Sequence, residues 1–228
     1  VCNGERLLAY EINLIISAQV NMSLDNMVAS LISVCRCRLR LVGLSLRTLC
    51  DKIHVPDGQM LSVEAEAIVR SRLHDAAVKH EAALKTAEQI QGCFSLPIFT
   101  QFSVSTVIIC FSAYQLALEL ETRNWVLIIS LVTYLLAMML QVFIYCYQGN
   151  QLTEESSEIA DAVYSCEWYS CSVGIRRELL ILMVRTCRVT RLTAGGITIL
   201  SLACFTSIIK GSYTFFTVLR QVEDRSLK

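Results

Sequence analysis

Three apolar runs, residues 94–118, 125–148 and 192–219, are each long enough to cross a bilayer, and they constrain this chain more than any other feature. At about 1.5 Å of rise per helical residue, roughly 20 residues span the hydrocarbon core, where the backbone must satisfy its own hydrogen bonds. The expected fold is all-α: a multi-pass transmembrane helical bundle. A mean hydropathy of +0.51, with 54% hydrophobic and 18% charged residues among 228, is too apolar for an ordinary soluble domain. The 20 basic and 20 acidic side chains cancel, so nothing in the charge calls for nucleic acid, and membrane lipids are the expected surroundings.

A fourth segment, residues 7–35, is apolar in patches but carries Glu11, Asn13, Asn21, Asp25 and Asn26, which are expensive against lipid. We read residues 1–50 as a span with its polar side turned to other helices or a cavity, followed by a cytoplasmic end; an amphipathic surface helix is the alternative. Arginine placement orients the spans. Arg36, Arg38, Arg40 and Arg47 follow the first segment, and Arg177, Arg185, Arg188 and Arg191 precede the last, which puts both loops in the cytoplasm. The link at residues 119–124 offers only Arg123 against two glutamates and falls outside, as does the tail, residues 220–228, although Arg220, Arg225 and Lys228 pull mildly the other way. The chain starts at Val1 without the features of a signal peptide, and is expected to be the C-terminal part of a longer protein.

Residues 51–93 are expected to form a cytoplasmic amphipathic helix that feeds the second span. Val69, Leu73, Ala76, Leu84, Ala87 and Ile90 recur at spacings of three and four, with His80 completing the stripe and Pro56, Asp57 and Gly58 marking a turn before it. Residues 149–191 read as a cytoplasmic anchor segment. In it Thr153 is a candidate helix N-cap ahead of Glu154 and Glu155, and the short run 179–184 is a helix packed on the inner ends of the others. Trp168 and Tyr169 anchor at the interface or pack in this cytoplasmic bundle.

Chemistry-bearing motifs are missing. No nucleophile triad, phosphate-binding glycine loop, metalloprotease helix or dinucleotide fingerprint occurs, so neither catalysis nor a cofactor is expected. Among 11 cysteines, Cys93, Cys110, Cys146 and Cys204 lie in or beside apolar runs as small hydrophobes. The Cys35, Cys37 and Cys166, Cys171 pairs lack the further ligands of a metal site, and His54, His74 and His80 have no ligand spacing. Gly195 and Gly196 permit a bend or close approach at the start of the last span.

That last run, residues 192–219, contains Lys210, which costs ~2.5 to 3.5 kcal/mol near a membrane-helix centre and points by default to a polar pathway. At 100° per residue Ser207, Gly211, Thr214 and Val218 fall within about 40° of one line, which Gln221 and Val222 continue. Ile208, Ile209, Phe215, Phe216 and Leu219 hold the other sides. A small, polar face of this kind serves either close helix packing or a water-filled path. Lys210 sits at its flank, where its stem can carry the ammonium toward water.

From Tyr145 onward a set of residues stands in fixed order: Tyr145, Cys146, Tyr147, Gly149 and Asn150; Leu152, Thr153, Glu154, Glu155 and Ser156; Ile159, Ala160, Asp161 and Ala162; and Trp168 and Tyr169. In these residues the chain resembles the insect odorant receptors, seven-helix membrane proteins of inverted topology. The resemblance continues with Leu192, Thr193, Ala194 and Gly195, then Phe205, Thr206 and Ser207, and closes with Ser212, Tyr213, Phe216, Leu219, Arg220 and Gln221. Upstream, Lys79, His80, Ala87, Glu88, Ile90, Phe94 and Ser95 look like the approach to the family's fifth helix.

The resemblance implies that the four segments are helices four to seven of such a receptor. It implies an odorant-gated, non-selective cation channel for the sense of smell, assembled as a heterotetramer with a shared coreceptor in the plasma membrane of olfactory sensory neurons, with the C-terminus outside. By the same pattern residues 192–219 line the pore, Val218 and Val222 resemble its hydrophobic gate, and Gln221 is a polar neighbour, with Thr214, Gly211 and Ser207 on the same wall. Lys210 resembles tuning receptors rather than the coreceptor and is expected to turn from the pore axis. Candidate odorant contacts are Phe111, Tyr114 and Gln115 on the fifth helix and Tyr134 on the sixth, each of which ordinary helix packing explains as well. The alternatives are a receptor signalling through a cytoplasmic partner, or a transporter.

Overall fold

The computed structural model describes residues 2–51, 62–122 and 124–226. Among the described residues five α-helices carry the fold: α1 (Cys2–Arg47), α2 (Val63–Thr122), α3 (Trp125–Ser165), α4 (Val173–Thr186) and α5 (Leu202–Ser226). A single 3-10 turn, Trp168–Ser170, precedes α4, and two short antiparallel strands, β1 (Thr193–Ala194) and β2 (Thr198–Ile199), precede α5. The expected turn at Pro56, Asp57 and Gly58, His54, and Arg123 lie outside the described residues.

With 46, 60 and 41 residues, the first three helices are each far longer than the ~30 Å hydrocarbon core requires at about 1.5 Å per residue. Each is therefore longer than a crossing alone would need. Three helices, Val63–Leu120 in α2, Trp125–Ser165 in α3 and Leu202–Gln221 in α5, each contain an apolar stretch long enough to cross. Together these make the molecule an all-α, multi-pass membrane bundle.

The ends of α1, α2 and α3 that meet α4, which form the inner half of the bundle, pack with it around one core. α2 contributes Val69, Leu73, Ala76, His80, Ala83, Ala87 and Ile90, all buried. Ala83 takes the core place that the spacing had given to Leu84, and its small side chain lets α1 approach closely enough for the Cys35 thiol to donate to the Ala83 carbonyl at 3.6 Å. From α4, Ile175, Leu179, Leu182 and Thr186 face inward. Arg72 of α2 donates to the Leu49 and Asp51 carbonyls at 3.0 and 3.1 Å, satisfying acceptors just past the end of α1.

Three further expectations change. Thr153 does not cap a new helix: α3 runs through it, and the Thr153 hydroxyl donates to the Gly149 carbonyl at 3.0 Å. The polar residues there conceal an unbroken buried stripe, Val142, Tyr145, Cys146, Gly149, Leu152, Ser156, Ile159 and Val163, which keeps the helical period across the change of composition. The last apolar run is not helical from Leu192 either. Its helix begins at Leu202, because Gly195 and Gly196 take φ of 60° and 70° and close the β1–β2 hairpin first. Cys93, expected to pack as a hydrophobe, is exposed, whereas Cys110, Cys146 and Cys204 are buried.

Candidate pore face, ligand contacts and the polar clusters

α5 presents two contrasting sides. Cys204 and Ser212 are buried, and Phe205, Ile208, Phe216 and Leu219 are half-buried, along the side that packs on α2 and α3. The line identified from the sequence lies away from that side: Ser207, Thr214, Val218 and Gln221 are exposed, and Gly211 is half-exposed. Phe215 joins the exposed side at 62% rather than the packed one. Val222 lies within α5, but its side chain is outside the described residues. Lys210 is exposed at the flank.

The hydroxyls on this helix are turned to the backbone. Ser207 donates to the Ala203 carbonyl at 2.9 Å, Thr214 to the Lys210 carbonyl at 2.9 Å, and Thr217 to the Thr214 carbonyl at 2.8 Å. Each donor is thus satisfied within the helix, and the oxygens keep acceptor capacity on an otherwise small surface. Near the C-terminal end of α5 Gln221 shares a surface hollow with Tyr213, Phe216, Thr217 and Arg220.

The ligand candidates are less gathered. Phe111, Tyr114 and Gln115 occupy an arc of about 100° on α2; Phe111 and Gln115 are exposed and Tyr114 is half-buried. Tyr134 on α3 is exposed. A cavity of about 910 Å³ lies elsewhere, between α2 and α4 in the inner half, where Leu73, His74, His80, Leu182 and Arg185 are among its walls.

Two polar clusters were not foreseen as such. Asp25, expected only to turn toward other helices, accepts from Gln141 and, at 2.7 Å, from the phenol of Tyr145, both on α3. The Tyr145 ring meets Phe102 of α2 edge-on at 6.1 Å, so this cluster ties three helices together. Gln141 and Tyr145 stand four apart within an apolar run, a spacing that could have been read as one polar spot on a helix face. Farther in, Arg36 reaches the Gln148 and Gln151 amide oxygens at 2.6 and 3.2 Å. The other cluster joins α2 to the strand hairpin. The Gln91 amide nitrogen donates to the Thr193 hydroxyl at 2.6 Å and carbonyl at 3.1 Å, while its oxygen accepts the Thr193 N–H at 2.8 Å.

Titration in the inner half follows burial. Desolvation, then the nearby Arg185 guanidinium, holds the His80 imidazole below its ordinary value. Burial pushes Cys166 up to about 11 and Cys171 up to about 12, with neighbouring thiols adding to it, so both stay protonated. Among the described residues no group of His, Cys, Asp and Glu is placed to hold a metal.

Comparison with known proteins places this geometry. A family model described as "7tm Odorant receptor" matches residues 7–213. Odorant receptor 22c of Drosophila melanogaster is 24% identical over 192 residues, covering 82% of this chain and 47% of that protein. Odorant receptor 46a, isoform B, of the same fly is 24% identical over 226 residues, covering 98% of this chain and 57% of its own length. Odorant receptor 2a is 31% identical over 132 residues, 58% of this chain and 33% of that one. The chain spans about half or less of the relatives it matches, reaching a little over half in one. Among solved structures, the olfactory receptor OR5 from Machilis hrabei in complex with eugenol superposes with a TM-score of 0.74 at 23% identity, over 89% of this chain and 48% of that one.

Proposed function

This chain belongs to the insect odorant receptor family, and from that premise we propose that it forms the pore-bearing half of an odorant-gated cation channel subunit. The observation that carries the reading is the two-sided α5. Its apolar side is packed on α2 and α3, while Ser207, Gly211, Thr214, Val218 and Gln221 are left uncovered or partly so by the chain's own helices. A small, hydroxyl-bearing face suits a water-filled path shared between subunits, and a ring of Val218 and Val222 side chains closes such a path by dewetting.

The partner in this reading is the family's coreceptor, in a heterotetramer. The inner half supplies a surface for it: Val173, Leu180, Ile181 and Val184 on the outer side of α4 are 61–73% exposed, an apolar strip more typical of an interface than of bare surface. The ligand is a volatile odorant held by aromatic and apolar walls, to which Phe111, Tyr114, Gln115 and Tyr134 contribute. The odorant opens the channel by binding the open state more tightly than the closed one. The setting is the plasma membrane of olfactory sensory neurons, with the C-terminus outside.

The test is electrical. The receptor carrying this chain, expressed with and without the coreceptor, should give odorant-evoked cation current only in the pair. Val218→Ala should then raise odorant-free current, and Lys210→Met should leave cation selectivity unchanged. Current that ignores both Val218 and Gln221 substitutions would remove α5 from the pore. A C-terminal tag that stays unstained on intact cells would overturn the topology.

A further inference from the structure

α5 does not start from a free loop. Its approach, residues 192–200, is a hairpin held on two sides. On the α2 side the Gln91 amide makes three hydrogen bonds to Thr193, the Ser95 hydroxyl donates to the Thr193 carbonyl at 3.0 Å, and the Gly195 N–H donates to the Ser95 carbonyl at 2.9 Å. Gly195 lies so near Phe99 that a Cβ there would stand 2.9 Å from the ring, on a backbone at φ +60° that already disfavours a side chain. On the α3 side a Cβ at Gly149 would meet the Leu200 Cβ at 2.3 Å, and the buried Ser156 hydroxyl accepts the Thr190 N–H at 2.9 Å.

We propose that this hairpin is a strap that sets the position of α5, with Gln91 and Ser95 as its positioning residues. The inference rests on the reading of α5 as pore wall and goes beyond it, because it assigns the control of α5 to residues that touch neither the pore face nor the ligand candidates. The two strands are too short to hold a shape alone, so their geometry is borrowed from α2 and α3. β2 leads through Leu200 into α5 at Leu202 with little slack between them. A shift of α2 relative to α3 therefore moves the first turn of α5. Thr193 is the point where this coupling is concentrated: its N–H, carbonyl and hydroxyl are all engaged by α2. α2 also carries Phe111, Tyr114 and Gln115 farther along the same continuous helix, past Pro97, so one helix runs from the ligand candidates to the strap.

The test uses the full receptor with its coreceptor, comparing Thr193→Val, which removes the hydroxyl at nearly constant shape, with Thr193→Ser, which keeps it. With currents scaled to surface abundance, Thr193→Val should shift the half-maximal odorant concentration or the odorant-free current by about twofold to tenfold, the range expected for one net hydrogen bond felt differently in two states. The reversal potential should not move, and Thr193→Ser should stay near wild type. Gln91→Ala should shift gating the same way, and adding Thr193→Val to it should change little further, since both remove the same contact. Unaltered gating in both variants at normal abundance, fully additive shifts, or a changed reversal potential would each overturn the strap.

If those variants fail to reach the surface, a Gln91→Cys, Thr193→Cys pair, joined by mild oxidation and released by dithiothreitol, reads the same contact. Current should fall on joining and return on release, and current indifferent to a bond demonstrated by mass spectrometry would sink the proposal. Failure of the pore reading is separate: it appears as permeation indifferent to Val218 and Gln221, whereas failure of the strap appears as normal gating while those positions still govern permeation.

Discussion

Where the inner ends of α1, α2, α3 and α4 meet, Leu39, Leu46, Val69, Leu152, Ile159 and Ile175 are sealed from solvent, whereas farther out the same long helices leave Val107, Phe111, Val126, Ile129, Leu136 and Leu140 more than half exposed. The inner half is held by its own core, with arginines such as Arg36 and Arg72 tying helix to helix. The outer half carries apolar surface that lipid or further helices must cover, since a membrane helix gains little from burying one leucine against another rather than against acyl chains. One continuous helix thus obeys two rules along its length: close packing inside, lipid-like surface outside. The polar contacts divide in the same way. Arg70 pairs with Glu66 and Glu178, and Arg47 with Glu158, in the inner half, while Asp25 with Gln141 and Tyr145 forms a node along the apolar stretch.

The contrast is broken or kept most directly by a pair of truncations on one helix. Leu152→Ala, at a fully buried inner position, should lower stability by about 2 to 5 kcal/mol through lost burial and an unfilled cavity. Leu140→Ala, three turns farther out and 58% exposed, should change it by roughly 0.5 kcal/mol or less. Thermal unfolding in detergent measures both, and equal shifts would mean that the inner core is not what holds the bundle. Next comes Gly149→Ala, whose new methyl overlaps Leu200. Overpacking of this kind costs about 1 to 3 kcal/mol, and it should also loosen the hairpin, read as faster protease cleavage between α4 and α5.

A smaller effect is expected in the outer direction. Asp25→Ala strips the carboxylate from Gln141 and from the Tyr145 phenol, which is 5% exposed. In water an orphaned buried group costs about 1 to 3 kcal/mol, but inter-helix hydrogen bonds in membranes average ~0.6 kcal/mol, so the expected loss lies nearer the lower figure. Asp25→Asn, which keeps an acceptor, should recover part of it. A loss as large as that of Leu152→Ala would make the outer polar node an equal partner of the inner core.

The sequence exposes these two halves unevenly. The apolar runs and the α2 stripe are legible because period and length carry them, and the small, polar side of α5 emerges from 100° steps alone. What was hidden are places where tertiary contacts override local composition. Polar residues around Thr153 look like a helix start, yet the stripe from Val142 to Val163 continues beneath them. The run from Leu192 looks helical, yet two glycines at positive φ and the Gln91 clamp, which is a contact across 102 positions in the chain, turn it into a hairpin. The ligand candidates were the least legible. Phe111 and Tyr134 are aromatic residues on helix faces, and nothing local to them distinguishes a pocket wall from lipid-facing surface.

The finest probe of the contrast is pH, since the inner half buries an imidazole and the outer half does not. His80 lies in the wall of the α2–α4 cavity, facing Arg185 and Glu178 from α4, with Arg70, His74 and Glu81 nearby on α2. Burial first, and the Arg185 charge second, lower its pKa from the ordinary 6.5. The folded protein therefore resists a proton that the unfolded chain accepts, so this contribution is fully present above pH 6.5 and is lost as pH falls from there toward the lowered folded value. The unfolding midpoint should be flat above about pH 7.5 and decline below 6.5, with His80→Gln removing part of that slope and Arg185→Gln making it shallower by relieving the charge on the ring. Leu140→Ala should leave the slope untouched. Identical pH profiles for the wild type and His80→Gln would place the imidazole in contact with water in both states, and with it would go the picture of an inner half closed around α2.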